Sequence, residues 1–370
     1  MDHFQLFRRI NADPRGYAIR RKQEGAKVIG HFCSYTPQEL ITAAGALPYR
    51  ILGSGSDSVN ADGYLQAYCC SLVRGGLEDA LAGRLDFLEG AVFPHTCDSI
   101  QRLSDIWRMN AGFAFHADII MPVKLNTESA ADYMRAVLAR FKADLEKGLQ
   151  VTITETMLAD AIRTCNRVRQ SLSRLYAIRR QNPLAIGGGD LHAVFKAALV
   201  MDRAELADAL EPLIADLAPA VRPPFTGKRL VLSGGLCSMP DIYQVVEASG
   251  ARVVWDDFCT GARYFEGPVD ENCAPLEGLA QKYLQRVVCP AKHAGIYSRG
   301  QYLLDKAREN RADGVIFLYL KFCDPHAFDY PYMKAMLDKE GIPSLMFEIE
   351  DQLSSQGQLR TRCEAFMEML

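Results

Sequence analysis

The chain has 370 residues, 49% of them apolar and 24% charged, with a formal net charge of −3. That length supports two or three domains with cores of their own; no apolar run reaches the roughly 18–20 residues of a membrane span, and no basic excess marks a nucleic-acid binder. The start MDHFQLFRRINADPRG lacks the apolar stretch and cleavage site of a secretory leader, so the expectation is a soluble cytoplasmic protein whose eleven cysteines are not a disulfide framework.

Residues 1–26 are charged and broken by Pro14 and Gly16, a short helical or irregular lead-in. KVIGHFCSY (27–35) then reads as a buried strand, and TPQELITAAGA (36–46) as a helix with Thr36 at the N-cap, Pro37 at the first position and Glu39 at capping-box spacing. The same order recurs in FLEGAVFPHTCDSIQRLSDIWRMN (87–110): an apolar run to Phe93, then Cys97, then a helix with Leu103, Ile106 and Trp107 on one face. From about 127 to 222 the periodicity is helical, interrupted at Gly187-Gly188-Gly189. After the Pro223-Pro224 linker, KRLVLSGGLC (228–237), ARVVWDDFC (251–259) and DGVIFLYLKFC (313–323) are strand-like runs ending in cysteine, and PSLMFEIE (343–350) is one more strand. Apolar strands alternating with helices predict an α/β protein with parallel sheets covered on both faces. The expected units are an N-terminal α/β domain (1–126), a helical segment (127–225) and a C-terminal α/β domain (226–370).

Cys33, Cys97, Cys237, Cys259 and Cys323 all stand where a strand gives way to a helix. Ligands of open α/β sheets collect at that carboxyl edge, and the positive end of a helix dipole favours the thiolate that metals need. Structural zinc draws on close pairs such as C-x₂-C, which are missing here. Cysteines dispersed over two domains suit an iron–sulfur cluster clamped between them, although the placement alone fits a set of reactive thiols as well. Cys165 and Cys363 lie in helical stretches and read as small core residues; Cys273 reads as a loop residue.

KVIGHFCSYTPQELITAAGALPYRILG, AYCCSLVRGGLEDALAG, FPHTCDSIQRLSDIW, WDDFCTGARYF and, most specifically, GVIFLYLKFCDPHAFDYPYMKAMLDKEGIPSLMFEIEDQ with GQLRTRCEAFMEML resemble the 2-hydroxyacyl-CoA dehydratase and benzoyl-CoA reductase family over nearly the whole chain. The resemblance implies two flavodoxin-like, Rossmann-like domains and a [4Fe-4S] cluster held by Cys70, Cys97 and Cys323. Cys33, Cys259 and Cys289 fall in segments similar to those of the family's double-cubane proteins, so a second trio and an [8Fe-9S] double-cubane cluster are implied alternatives; Cys69 packs behind the site and Cys237 is a bystander. The resemblance further implies an ATP-hydrolysing iron–sulfur activator protein that delivers a low-potential electron, an acyl-CoA or aryl-CoA substrate, and a related second subunit or a homodimer. The dehydratases expel a hydroxyl through a ketyl radical, and the reductases reduce an aromatic ring. No Walker-A motif is present, in keeping with a separate activator.

His95 and His326, two residues before Cys97 and three after Cys323, are candidates for proton transfer or for donating to a cluster sulfur, with solvent-facing loop histidines as the alternative. Asp98 and Asp324 read as helix caps. GSGSD (53–57) reads as a plain turn, and Ser233-Gly234-Gly235 as either a phosphate-approaching loop or a tight turn. Lys292, His293 and Arg263 are candidates for binding thioester phosphates or an acidic partner, or are solvated surface charges; Trp107 and Trp255 read as core. Three functions follow: a cluster-bearing subunit of an acyl-CoA dehydratase or aryl-CoA reductase, a homodimeric double-cubane reductase of small molecules without CoA, or an iron–sulfur electron carrier with no substrate of its own.

Overall fold

The apolar runs form the interior strands of two sheets. The computed structural model describes residues 2–53, 59–218, 223–236, 241–286, 289–292, 295–349 and 356–370. Strands β1 (Lys27–His31), β2 (Ala46–Arg50), β3 (Gly90–Pro94) and β4 (Phe115–Ile119) make a four-stranded, all-parallel sheet in the order β2-β1-β3-β4. Strands β5 (Lys228–Gly234), β6 (Ala251–Asp257), β7 (Gly314–Leu320) and β8 (Ser344–Ile349) make a second, in the order β6-β5-β7-β8. The α/β class expected from the sequence is therefore what the chain forms. Alternate residues of the central strands feed opposite cores, as a two-sided sheet demands. Val28, Ala91 and Phe93 pack on Leu103 and Trp107, whereas Ile29 and Val92 pack on Leu138 and Phe141. In the second sheet Leu232 and Ile316 face Val246 and Phe366, while Val231 and Phe317 face Leu303 and Leu337.

Two strands escape the sequence reading. The helix expected over 36–46 is only Gln38–Ala43, and Ala46 already belongs to β2. Pro48 disguises β2, and it is tolerated because β2 lies at the sheet edge. β4 alternates buried and half-buried positions, so it lacks the continuous apolar run of its neighbours. The expected capping box is also absent: Pro37 occupies the N-cap without a side-chain bond, and Glu39 is fully buried and turned to Arg169 and Lys282.

The lead-in is two helices, Phe4–Ala12 and Pro14–Gln23, the second capped by Asp13 through Gly16 N at 2.8 Å. Between the sheets in sequence run helices Glu128–Leu149, Glu155–Gln181, Gly188–Ala198 and Arg203–Leu217, with Thr127, Thr154 and Asp202 capping the first, second and fourth. Helix Glu155–Gln181 bonds to both halves. Its Arg169 pairs with Glu39, its Asn166 Nδ2 donates to Val269 O at 2.8 Å, and its Tyr176 hydroxyl donates to Asp256 on β6. Among the described residues no helix is long and apolar enough to cross a membrane.

Candidate metal centre at the carboxyl edges

Three helices begin on a cysteine. Cys70 is the N-cap of helix Ser71–Leu81, Cys97 of Asp98–Asn110 directly beyond β3, and Cys323 of Asp324–Lys339 beyond β7. Asp98 and Asp324, expected as caps, instead occupy the first helical turn, where their charge favours the dipole. The turn into Cys323 holds Phe322 at φ +65, a left-handed conformation that costs a bulky residue about 1–2 kcal/mol. Such strain persists where surrounding structure imposes it, commonly at functional turns.

These thiols lie within electrostatic reach of one another. Burial pushes Cys97 up to about 12, against the pull of the Ile100 and Ser99 amides, and Cys70 and Cys33 add to the rise. Cys323 is raised too, by burial first and then by Cys70, Cys97 and Cys259, with the His326 amide opposing. Burial also raises Cys289, and Cys259 and Cys33 contribute while Arg263 opposes. The trio Cys70, Cys97 and Cys323 is thus brought together from both halves. Cys33, Cys259 and Cys289 form a second group, joined to the first through Cys33 with Cys97 and Cys259 with Cys323. Among the described residues no three His, Cys, Asp or Glu side chains converge as a single-ion site requires.

Cationic groups surround the second group. Arg263, offered by the sequence as a phosphate-binding or surface charge, is fully buried. It donates from Nε to Asp257 Oδ1 at 3.0 Å, from Nη2 to Gly234 O at 2.9 Å, and from Nη1 to Cys259 Sγ at 3.4 Å. Burial alone would raise Cys259, but Arg263, Arg50 and Arg286 outweigh it and hold this thiol below its ordinary range. Arg286 stacks over Tyr35 at 4.6 Å and donates to Arg263 O at 2.6 Å and to Ser34 O. Lys292 is likewise no surface charge: it is buried and donates to Met121 O at 3.0 Å. Both corrections have one physical cause, since a charge can be buried where carbonyls, carboxylates or thiolates receive it. Arg50 and Arg286 carry no sequence signal, because nothing local shows what a lone charge in an apolar stretch, LPYRIL or YLQRVV, would meet.

The two histidines diverge, and neither is a solvent-facing loop residue. His326 is buried in the first turn of its helix, shares a hydrogen bond with Cys323 Sγ through Nδ1 at 3.1 Å, and leaves Nε2 without a partner among the described residues. Burial, then Arg299 and Arg263, hold it far below the ordinary histidine range, so it is neutral. A Cβ on Gly235 would stand 3.2 Å from its ring, which explains a glycine there. His95 turns to β4, where its Nε2 donates to Asp118 Oδ1 at 2.9 Å. Asp118 also accepts from Ser104 Oγ at 2.5 Å.

The remaining candidates take structural places. Gly234 and Gly235 present carbonyls, to Arg263 and to Cys259 N at 2.7 Å, which favours a tight turn over a phosphate cradle. Cys165 and Cys363 are buried in helices, Cys69 is buried 3.8 Å from Gln66 Oε1, and Cys273 is half-buried beside Asp270 O. Trp107 is core, and half-buried Trp255 carries Lys306 Nζ 4.6 Å from its ring. Cys237, His293 and residues 54–57 of GSGSD lie outside the described residues.

Residues 33–370 match the family described as 2-hydroxyglutaryl-CoA dehydratase, D-component. The chain is 29% identical over 368 residues to the (R)-phenyllactyl-CoA dehydratase beta subunit of Clostridium sporogenes, covering 99% of this chain and 98% of that protein. It is 26% identical over 350 residues to a benzoyl-CoA reductase subunit of Thauera aromatica, covering 93% and 91%. It is 27% identical over 371 residues to the (R)-2-hydroxyglutaryl-CoA dehydratase beta subunit of Acidaminococcus fermentans, covering 98% of both.

Proposed function

The chain belongs to the 2-hydroxyglutaryl-CoA dehydratase D-component family, and on that premise we propose that it is the iron–sulfur subunit of an acyl-CoA dehydratase or aryl-CoA reductase. The observation that carries this reading is the set of three helix-capping cysteines, Cys70, Cys97 and Cys323, drawn from both sheets into one electrostatic neighbourhood. They would hold a [4Fe-4S] cluster, which when bound supplies one-electron chemistry at low potential, fed by an ATP-hydrolysing activator. The chain's own residues set its surroundings. Helix N-termini stabilise thiolate, neutral His326 orients Cys323, and the buried flank limits water, which keeps reducing equivalents from being lost to solvent. His95, held by Asp118, is the candidate for passing a proton at the rim. The relatives' names speak of subunits, so a related second subunit and a CoA thioester complete the proposed system, in the reducing cytoplasm.

A second reading is favoured by the electrostatic proximity of the two cysteine groups: Cys33, Cys259 and Cys289 add three thiols, enough for a double-cubane [8Fe-9S] cluster in a homodimeric reductase. Anaerobic iron and sulfide quantitation with EPR separates the two. About four irons per chain supports the single cluster and about eight the double one. Cys323→Ala is expected to abolish cluster signals, and unaltered iron content in that variant would sink both. Activator-dependent turnover of an acyl-CoA would eliminate a pure carrier.

A further inference from the structure

We infer that Arg50 donates hydrogen bonds from Nε and Nη1 to the inorganic sulfides of a cluster held by Cys33, Cys259 and Cys289. The inference rests on the double-cubane reading and names a residue that sets that cluster's binding and potential.

Arg50 ends β2, level with His31 on β1, so it sits at the same carboxyl edge as Cys33 two residues beyond His31. Its side chain is 3% exposed, and neither Nε nor Nη1 has a partner among the described residues. A buried cation needs partners, and other buried cations here have them. Arg263 and Arg299 share Asp257, Arg169 and Lys282 share Glu39, and Arg203 donates to Ala198 O and to the Tyr264 hydroxyl. Arg50 has no ion pair to a described carboxylate. Burial lowers its pKa, and what opposes the lowering is Cys33 first, then Cys259, with Tyr264 behind them. Arg286 repels it. His31 is buried and neutral, so it offers no compensating charge.

The groups that favour this guanidinium's charge are therefore thiols, and none of them accepts a hydrogen bond from its Nε or Nη1. A planar fork with two buried, open N–H groups, at the sheet edge that also carries Cys33, fits an anionic, sulfide-rich group held there. The donors would lower the energy of the reduced, more negative cluster and so raise its potential.

The test compares Arg50→Met and Arg50→Lys with the wild type, as metal-free and as anaerobically reconstituted protein, by iron content, EPR-monitored redox titration and thermal unfolding. Arg50→Met removes the buried charge, so the metal-free variant should melt above the wild type and the loaded one below it. Its midpoint potential should fall by an amount on the order of tenfold in the reduction equilibrium, ~59 mV for one electron, or it should lose about four of eight irons. Arg50→Lys, which keeps the charge and the fold but not the fork, should fall between. Eight irons with unchanged potential in both variants would overturn the role of Arg50 and leave the double cluster standing. Lower stability in both metal-free and loaded forms would make Arg50 merely structural. About four irons in the wild type would overturn the cluster reading and this inference together.

Discussion

Glu39 is a fully buried carboxylate with two cations on it, and one of them is surplus. Burial would raise Glu39, but Arg169 and Lys282 together hold it well below the usual carboxylate range. Lys282 meets the opposite balance: burial and then Arg169 outweigh Glu39, and its pKa falls to about 7. An unfolded lysine titrates at about 10.4. Between pH 7 and about 10 the unfolded chain therefore holds a proton that the folded chain has released, and stability rises with pH at up to about 1.4 kcal/mol per unit. Below pH 7 both states are protonated and this dependence disappears. Urea unfolding of Lys282→Met at pH 7, 8.5 and 10 should lack the rise that the wild type shows; identical pH profiles would refute the assignment. None of this was legible in the sequence, where Glu39 three residues after Thr36 imitates a capping box. Local spacing cannot show that a helix start is buried against cations 130 and 243 residues away in sequence.

At the scale of elements, legibility followed apolar runs rather than burial. β1, β3, β5, β6, β7 and β8 announce themselves as apolar runs, whereas β2, fully buried but interrupted by Pro48, and β4, with His116 and Asp118 between its apolar residues, do not. The same logic sorts the cysteines. Cys97 and Cys323 follow strands and are visible by position, but Cys70 follows a loop, and only family resemblance marked it before the structure showed it at a helix N-cap. A cysteine makes a poor cap, and serine in its place would accept from the free amides of the first turn. Cys97→Ser should therefore stabilise the metal-free protein by about 0.5–1 kcal/mol while sharply reducing iron retention. Chemical denaturation of the metal-free variant, read beside its iron content, checks both signs. A metal-free Cys97→Ser protein less stable than wild type would show that the thiol is a packing element.

For the whole molecule, the consequence is that the proposed trio cross-links two sheets whose cores already meet, since Ala262, Phe265, Leu279 and Tyr283 pack into the cores of the first. Cys70 and Cys97 belong to the first sheet's helices, Cys323 to the second's, and helix Glu155–Gln181 braces both sides independently of any thiol. Sequence suggested this apposition only through the cysteines dispersed over both domains, since nothing local to either half says how their carboxyl edges meet. A group bound only by the folded chain adds its binding energy to folding, and adds it where it attaches. Chelation under reducing conditions should therefore act locally. Amide exchange should quicken in the first turns of helices Ser71–Leu81, Asp98–Asn110 and Asp324–Lys339, whose opening amides would lose a thiolate partner. β1, β3, β5 and β7, interior strands that supply none of the three cysteines, should keep their protection. Exchange that quickens uniformly would mean that the cluster is a condition of folding for both halves. Unchanged exchange at the three helix starts would remove Cys70, Cys97 and Cys323 from the attachment point.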